Sequence, residues 1–190
     1  MTSNLLILLA LFTFSACGGP ADNKSDFGSE LTNENEQAFF NNLAEYCGKS
    51  FAGEQVFLAE GRESWAHKDF VMHVQKCGDD HIHVPFHLDE DQSRTWMFLV
   101  EEGRLRFRHD HRHEDGTPEE ETMYGGYADS EGTAFRQDFP ADQYTCELLP
   151  TACEAVWRVE LTEDPKTFRY SLFSEDGLLF TAAFDLEKPL

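Results

Sequence analysis

The sequence predicts an all-β fold, an antiparallel barrel of about 8–10 strands preceded by one short helix. From residue 54 onward, short runs of alternating apolar and polar residues follow one another, about ten in all. Gly, Asp and Asn residues separate these runs, as tight hairpin turns require. No strand–helix–strand alternation interrupts the series, and the 17 Phe, 5 Tyr and 3 Trp residues favour strands around a large interior.

The first 16 residues are predicted to be an export signal peptide. Residues 5–14 form an apolar run that is too short to span a bilayer but suits the core of a signal peptide. The following letters FSAC, at positions 14–17, resemble a bacterial lipobox, which implies that Cys17 is lipidated and anchors the protein to a membrane. An ordinary cleaved signal is the alternative.

The residue after this cysteine bears on the expected location. Gly18, in place of Asp, is similar to the pattern of lipoproteins that are sent on to the outer membrane. The expected location is therefore the bacterial cell envelope, where the protein is an outer-membrane-anchored lipoprotein or is otherwise secreted.

Residues 17–35 are predicted to be a flexible tether, and residues 36–190 a single β-barrel domain. The tether is rich in Gly, Pro, Asn, Ser and acidic residues and has too few apolar side chains to pack. Within Glu36–Tyr46, apolar side chains recur at the spacing of a helix, and Gly48 is a natural stop. These apolar residues are Phe39, Phe40, Leu43 and Tyr46.

The four cysteines of the predicted domain are expected to form two disulfide bonds, because their number is even and disulfides persist in oxidising compartments. They are Cys47, Cys77, Cys146 and Cys153. Cys146 and Cys153 flank a short segment that contains Pro150, so we favour Cys146–Cys153 together with Cys47–Cys77. Buried free thiols are the alternative.

The last two strands predict their own register. A three-residue turn at 175–177 would place the inward residues of one strand opposite those of the other and create one apolar face. The opposed pairs are Phe168 with Phe184, Tyr170 with Ala182 and Leu172 with Phe180. Gly177 would then hold the left-handed backbone conformation. In the preceding strand, alternation predicts that one face carries Ala155, Trp157, Val159 and Leu161.

A concentration of histidines at residues 109–113 follows the basic segment 104–108. Alternate side chains of a strand point to opposite faces. The apolar face would carry Leu105, Phe107, His109, His111 and His113, and the opposite face Arg104, Arg106, Arg108, Asp110 and Arg112. If the apolar face points inward, the three histidines line the barrel toward one of its mouths.

Two histidines at alternate positions of a strand can converge on one metal ion, which makes His109 and His111 candidate metal ligands. The three histidines span about 13 Å, so such a site would need a third ligand from a neighbouring strand. Contacts to an organic ligand, or a hydrogen-bonded charge network at the barrel rim, are the alternatives. A second group, His81, His83 and His87, alternates with apolar residues and is expected on the outer surface.

Four motifs carry a resemblance to a known group of proteins. They are Leu43–Gly53, the letters HDHRHEDG at 109–116, YGG at 124–126 and FPAD at 139–142. Together they resemble a family of uncharacterised bacterial secreted proteins and lipoproteins with a calycin, or lipocalin-like, barrel. The resemblance implies that fold and an exported location, but no reaction, because the family has no assigned activity.

The net charge of −21 argues against nucleic acid as a partner, because binding to phosphates draws on Lys and Arg. The chain has no nucleophile elbow, phosphate loop, dinucleotide fingerprint or HExxH motif, so the sequence names no catalytic residue and no cofactor. A non-enzymatic protein is expected.

The leading hypothesis is a non-enzymatic barrel that binds a small, apolar or aromatic molecule among its Phe and Trp side chains, with histidines at its mouth. Its candidate binding residues are His109, His111, His113, Phe107, Trp157 and Tyr124. The alternatives are a metal-binding or metal-dependent protein that uses His109 and His111, and a structural or partner-binding envelope lipoprotein.

Overall fold

The computed structural model describes residues 30–61, 66–164 and 166–190. The signal peptide expected at 1–16 and the lipidation site Cys17 lie outside these residues. Two helices, ten strands and a 3₁₀ turn follow one another in the described chain. They are α1 (Glu34–Ala44), β1 (Ser50–Leu58), β2 (Phe70–His73), β3 (His81–Leu88), β4 (Asp91–Glu101), β5 (Arg104–His111), β6 (Tyr124–Tyr127), β7 (Arg136–Pro140), α2 (Gln143–Leu148), the 3₁₀ turn Pro150–Ala152, β8 (Val156–Glu163), β9 (Lys166–Ser174) and β10 (Gly177–Pro189).

The ten strands form one antiparallel sheet in the order β6-β5-β4-β3-β2-β1-β10-β9-β8-β7, which curls into a nearly closed barrel. The predicted fold class, a mostly-β antiparallel barrel with a short N-terminal helix, is confirmed. Strand β1 begins at Ser50, four residues before the predicted run at 54, and pairs with β2 and with β10. No helix in the described residues is long and apolar enough to cross a bilayer.

Helix α1 closes one end of the barrel with the apolar face that the spacing predicts. Phe39, Phe40 and Leu43 are buried, and the Phe39 ring lies 6.1 Å from that of Phe98 inside the barrel. The Asn33 side chain caps the helix, and the buried Glu36 carboxylate accepts a hydrogen bond from the Leu105 backbone N–H at 2.5 Å. Because α1 begins at Glu34, the helix starts two residues before the predicted domain boundary at residue 36.

Aromatic rings fill the interior of the barrel. The Trp96 ring is stacked between those of Phe86 and Tyr170, with centroids 4.4 and 4.6 Å away. A second set of rings, Phe98, Phe107 and Phe139, lies nearer to α1, with centroid separations of 5.0 to 6.2 Å. Because these side chains are fully or almost fully buried, the interior between the two ends is solidly packed.

The register of the β9–β10 hairpin agrees with its apolar pattern, but its turn is shorter than predicted. All three expected pairs are present, and Gly177 has a φ of +115°. The loop itself contains only Glu175 and Asp176, and the remaining residue, Leu179, forms a bulge in β10. The bulge keeps the apolar residues of both strands on one face, which a two-residue turn alone would not do.

The two disulfide bonds are Cys47–Cys77 and Cys146–Cys153, the pairing favoured from the cysteine spacing. The first joins the end of the α1 segment to the loop after β2. The second holds α2 beside the 3₁₀ turn Pro150–Ala152, a helical connection that the strand pattern does not predict.

The barrel closes where the two edge strands, β6 and β7, meet. A Cβ atom on Gly126 would overlap the Pro140 carbonyl oxygen, so only glycine allows this approach. The Gly125 carbonyl accepts hydrogen bonds from the Asp142 backbone N–H at 3.0 Å and from the Thr145 hydroxyl at 2.7 Å. The same hydroxyl accepts from the Gly125 N–H at 2.7 Å. We call these contacts the seam.

The seam also buries an arginine that strand alternation assigns to the outer face. Arg108 does point outward, but it is only 2% exposed because α2 and the chain before it cover this part of the barrel. The Asp142 carboxylate forms ion pairs with Arg106 and Arg108, and the guanidinium of Arg108 lies 5.6 Å from the Tyr144 ring centroid. The seam is therefore charged on its outer side.

We predict that Thr145→Val destabilises the protein by about 1–3 kcal/mol, because it leaves the buried Gly125 N–H without a partner. Urea unfolding measures the free energy, and hydrogen exchange of the Gly125 amide reports the seam directly. Thr145→Ser is the matched control, since it keeps the hydroxyl. Equal stability and equal Gly125 protection in the Val and Ser variants would contradict a structural role of this hydroxyl.

Candidate functional site

A pocket of about 510 Å³ opens at the end of the barrel opposite α1. Its walls come from the ends of β1, β8, β9 and β10 and from the 3₁₀ turn. Most of the lining side chains are apolar, but polar and apolar atoms face the pocket in similar proportion. The lining residues include Leu58, Leu149, Ala152, Ala155, Leu172, Phe173, Leu179 and Phe180, together with the polar Thr151, Glu154 and Ser174.

Three of the aromatic residues that line this pocket, Tyr124, Trp157 and Tyr170, pack against the buried His109 ring, and we call these three residues the floor. Tyr124 and Trp157 are among the ligand-binding residues proposed from the sequence. Tyr170 is not, although its position between Phe168 and Leu172 on the inward face of β9 is a signal that could have identified it. Trp157 and Tyr170 are 3% and 5% exposed, so each presents only a small part of its side chain to the site.

His109 lies beneath the floor, as part of its support. Its ring is stacked on that of Tyr124, with a centroid distance of 4.5 Å, and lies 5.1 Å from the Trp157 ring. Its Nε2 atom is 2.9 Å from the Tyr170 hydroxyl and its Nδ1 atom is 3.3 Å from the Tyr124 carbonyl oxygen. Burial lowers the pKa of His109 to about 3, so the ring is neutral at physiological pH.

His111 supports the floor from the rim of the barrel. Its Nε2 atom lies 3.1 Å from the Tyr124 hydroxyl, and its Nδ1 atom lies 3.7 Å from a Glu119 carboxylate oxygen. Burial, with a smaller contribution from Arg94, lowers the pKa of His111. Tyr124 is therefore held by both histidines: its ring stacks on His109 and its hydroxyl is hydrogen-bonded to His111.

The other two predicted ligand-binding residues lie away from the pocket. Phe107 is fully buried among Phe98 and Phe139 in the packed interior. His113 lies beyond the end of β5, is exposed, and donates its backbone N–H to the Thr117 carbonyl. The strand ends at His111, so alternation no longer controls the direction of His113.

No group of three or more His, Cys, Asp or Glu side chains in the described residues is arranged to hold a metal ion. His109 does not form such a group because each of its ring nitrogens already faces a tyrosine oxygen. The geometry around His109 and His111 thus favours support of an aromatic pocket over metal binding.

The second histidine group lies on the outer wall, as its alternation with buried residues predicts. His81, His83 and His87 are partly exposed, while the intervening apolar residues are buried. His87 also meets His73 of β2, whose Nε2 atom lies 3.1 Å from His87 Nδ1, and His73 Nδ1 lies 2.7 Å from the Ser50 hydroxyl. Ser50, His73 and His87 lie side by side on β1, β2 and β3, and neither they nor His81 and His83 line the pocket.

No protein-family model matches the chain, and neither the curated proteins nor the solved structures contain a significant match.

We predict that His109 makes stability fall as the pH is lowered. The folded-state pKa of about 3 is below the ordinary value of 6.5, so between these values the unfolded chain binds a proton that the folded chain does not. The contribution is about 1.4 kcal/mol per pH unit in this window. His109→Gln should give a shallower loss of stability in urea unfolding between pH 6 and pH 4.

His113→Gln is the control for this experiment, because that side chain is exposed and should leave the wild-type slope unchanged. Parallel pH profiles for wild type and His109→Gln would show that His109 is not kept neutral by burial.

Proposed function

We propose that the protein is a non-enzymatic binding module that takes a small, neutral, aromatic or otherwise apolar molecule in its mouth pocket. The observation that carries this proposal is the pocket of about 510 Å³ with its floor of Tyr124, Trp157 and Tyr170. Its volume lies in the range of small-molecule sites, which are typically about 300–1,000 Å³ and mostly apolar.

The position of the pocket limits how the ligand can bind. In the sequence-based hypothesis the ligand lies among the Phe and Trp side chains of the barrel, but the interior below the floor is filled by the protein's own rings. A ligand would therefore sit above Trp157 and Tyr170, against the floor, and would stay in contact with the 3₁₀ turn and the β9–β10 hairpin. Such a site suits capture and release at the barrel mouth.

The arrangement below the floor supports binding more than catalysis. His109 is neutral and held between two tyrosines, and His111 faces Tyr124 instead of a nucleophilic hydroxyl or thiol. Rigid, hydrogen-bonded rings of this kind reduce the entropy lost when a ligand is bound. The polar network therefore orients the aromatic floor.

Two disulfide bonds are typical of a protein from an oxidising compartment. We propose that the binding domain is displayed in the bacterial cell envelope, anchored through lipidated Cys17 at the end of a tether, as a member of the calycin-like secreted proteins. This arrangement would place the pocket where it can sample small molecules outside the cytoplasm.

The test uses N-phenyl-1-naphthylamine, an uncharged aromatic dye whose fluorescence rises in apolar sites. We expect saturable binding to the wild-type protein. Ala152→Trp, which places a large side chain in the wall of the pocket, should weaken binding at least tenfold, because it removes space and makes the floor inaccessible.

Asn41→Trp is the matched control, since it adds the same side chain at an exposed position of α1, at the other end of the barrel. It should bind the dye like the wild type. If the dye does not bind, or if both Trp variants bind it equally well, the mouth pocket is not a ligand site.

A further inference from the structure

We infer that the pocket selects aromatic molecules that carry an N–H or O–H donor and no negative charge, with the Tyr124 hydroxyl oxygen as the acceptor. The inference rests on the proposed binding function and names the class of ligand. The directions of the hydroxyl protons of the two floor tyrosines determine this selectivity.

The proton of Tyr170 is directed away from the pocket. The Tyr124 carbonyl oxygen can only accept a hydrogen bond, so His109 Nδ1, 3.3 Å away, must carry the ring proton. The ring is neutral, and its Nε2 atom is therefore an acceptor. The Tyr170 hydroxyl, 2.9 Å from Nε2, donates to it and cannot donate to a ligand without breaking this buried bond.

The proton of Tyr124 is directed away in the same manner. The Glu119 carboxylate, 3.7 Å from His111 Nδ1, favours a proton on that nitrogen and leaves Nε2 as an acceptor. The Tyr124 hydroxyl, 3.1 Å from Nε2, therefore donates to His111. Burial raises the pKa of Tyr124 to about 12, so the hydroxyl keeps its proton at neutral pH and offers a ligand its oxygen lone pairs.

The charge of the pocket acts in the same direction. Among the described residues that line it, the one charged side chain is Glu154, and no Lys or Arg is present. The protein as a whole has a net charge of −21. A carboxylate or phosphate ligand would lose hydration without gaining a cation from these lining residues, and at Tyr124 the positive charge of Arg94 is opposed by Glu119 and Glu121. An uncharged donor loses less hydration on binding.

These features together describe a chemical class: phenols, indoles and aromatic amines. A ring of this class can pack on Trp157 and on the floor tyrosines while its donor reaches the Tyr124 oxygen. An analogue with its donor methylated keeps the ring contacts and loses only the hydrogen bond. Specificity of this kind depends on one oxygen atom and can be tested by removing that atom.

The experiment compares three naphthalenes by isothermal titration calorimetry with the purified, disulfide-intact full chain. The ligands are 2-naphthol, which has a donor, 2-methoxynaphthalene, which has none, and 2-naphthoate, which is negatively charged. We expect 2-naphthol to bind roughly three- to tenfold more tightly than 2-methoxynaphthalene, the effect of one neutral hydrogen bond, and 2-naphthoate to bind most weakly. Tyr124→Phe should reduce the ratio between the first two ligands toward one.

Tyr127→Phe is the matched control, because it removes a phenol oxygen from the same strand, β6, where the ring lies under Arg104 and Arg106 outside the pocket. It should leave the ratio unchanged. Equal affinities of 2-naphthol and 2-methoxynaphthalene for the wild type, or a ratio that Tyr124→Phe does not alter, would overturn the inference while dye binding upholds the proposed function. Failure of all three naphthalenes and of the dye to bind would overturn both.

Discussion

The closure of the barrel at the seam between β6 and β7 is the contact on which the rest of the structure depends. An open sheet would leave both edge strands with unpaired backbone groups and would expose the aromatic interior. The seam uses few direct strand contacts. Gly126 lets the Pro140 carbonyl approach, and the Thr145 hydroxyl takes the place of a ladder partner for Gly125. The start of α2 thus completes the wall of the barrel.

Closure at this position also places the candidate site. Tyr124 is the residue before Gly125, so the contacts that close the wall hold the first residue of β6 at the barrel mouth. The Cys146–Cys153 disulfide retains α2 and the 3₁₀ turn on the same side, where the turn supplies one wall of the pocket. Helix α1 fills the opposite end with Phe39. The open space of the barrel is therefore confined to one mouth.

The packed interior explains why polar groups beneath the floor are so regularly paired. A neutral histidine buried among rings would be costly with an unpaired nitrogen, because burial removes its hydrogen bonds to water. Both nitrogens of His109 meet tyrosine oxygens, and this requirement fixes the direction of the Tyr170 proton. The need to satisfy a buried group therefore determines what the pocket can offer to a ligand.

Local patterning was sufficient for the number of strands, the apolar face of α1, the inward face of β8 and the register of the last hairpin. Each depends on a period of two or 3.6 residues and on burial of one face. Four features depend on residues distant in sequence: the seam at Gly126, the burial of Arg108 under α2, the pocket above Tyr170 and the hydrogen bonds of His109. Alternation assigns a side chain to a face, but what covers that face, and what space remains, is set by elements that meet only when the barrel closes.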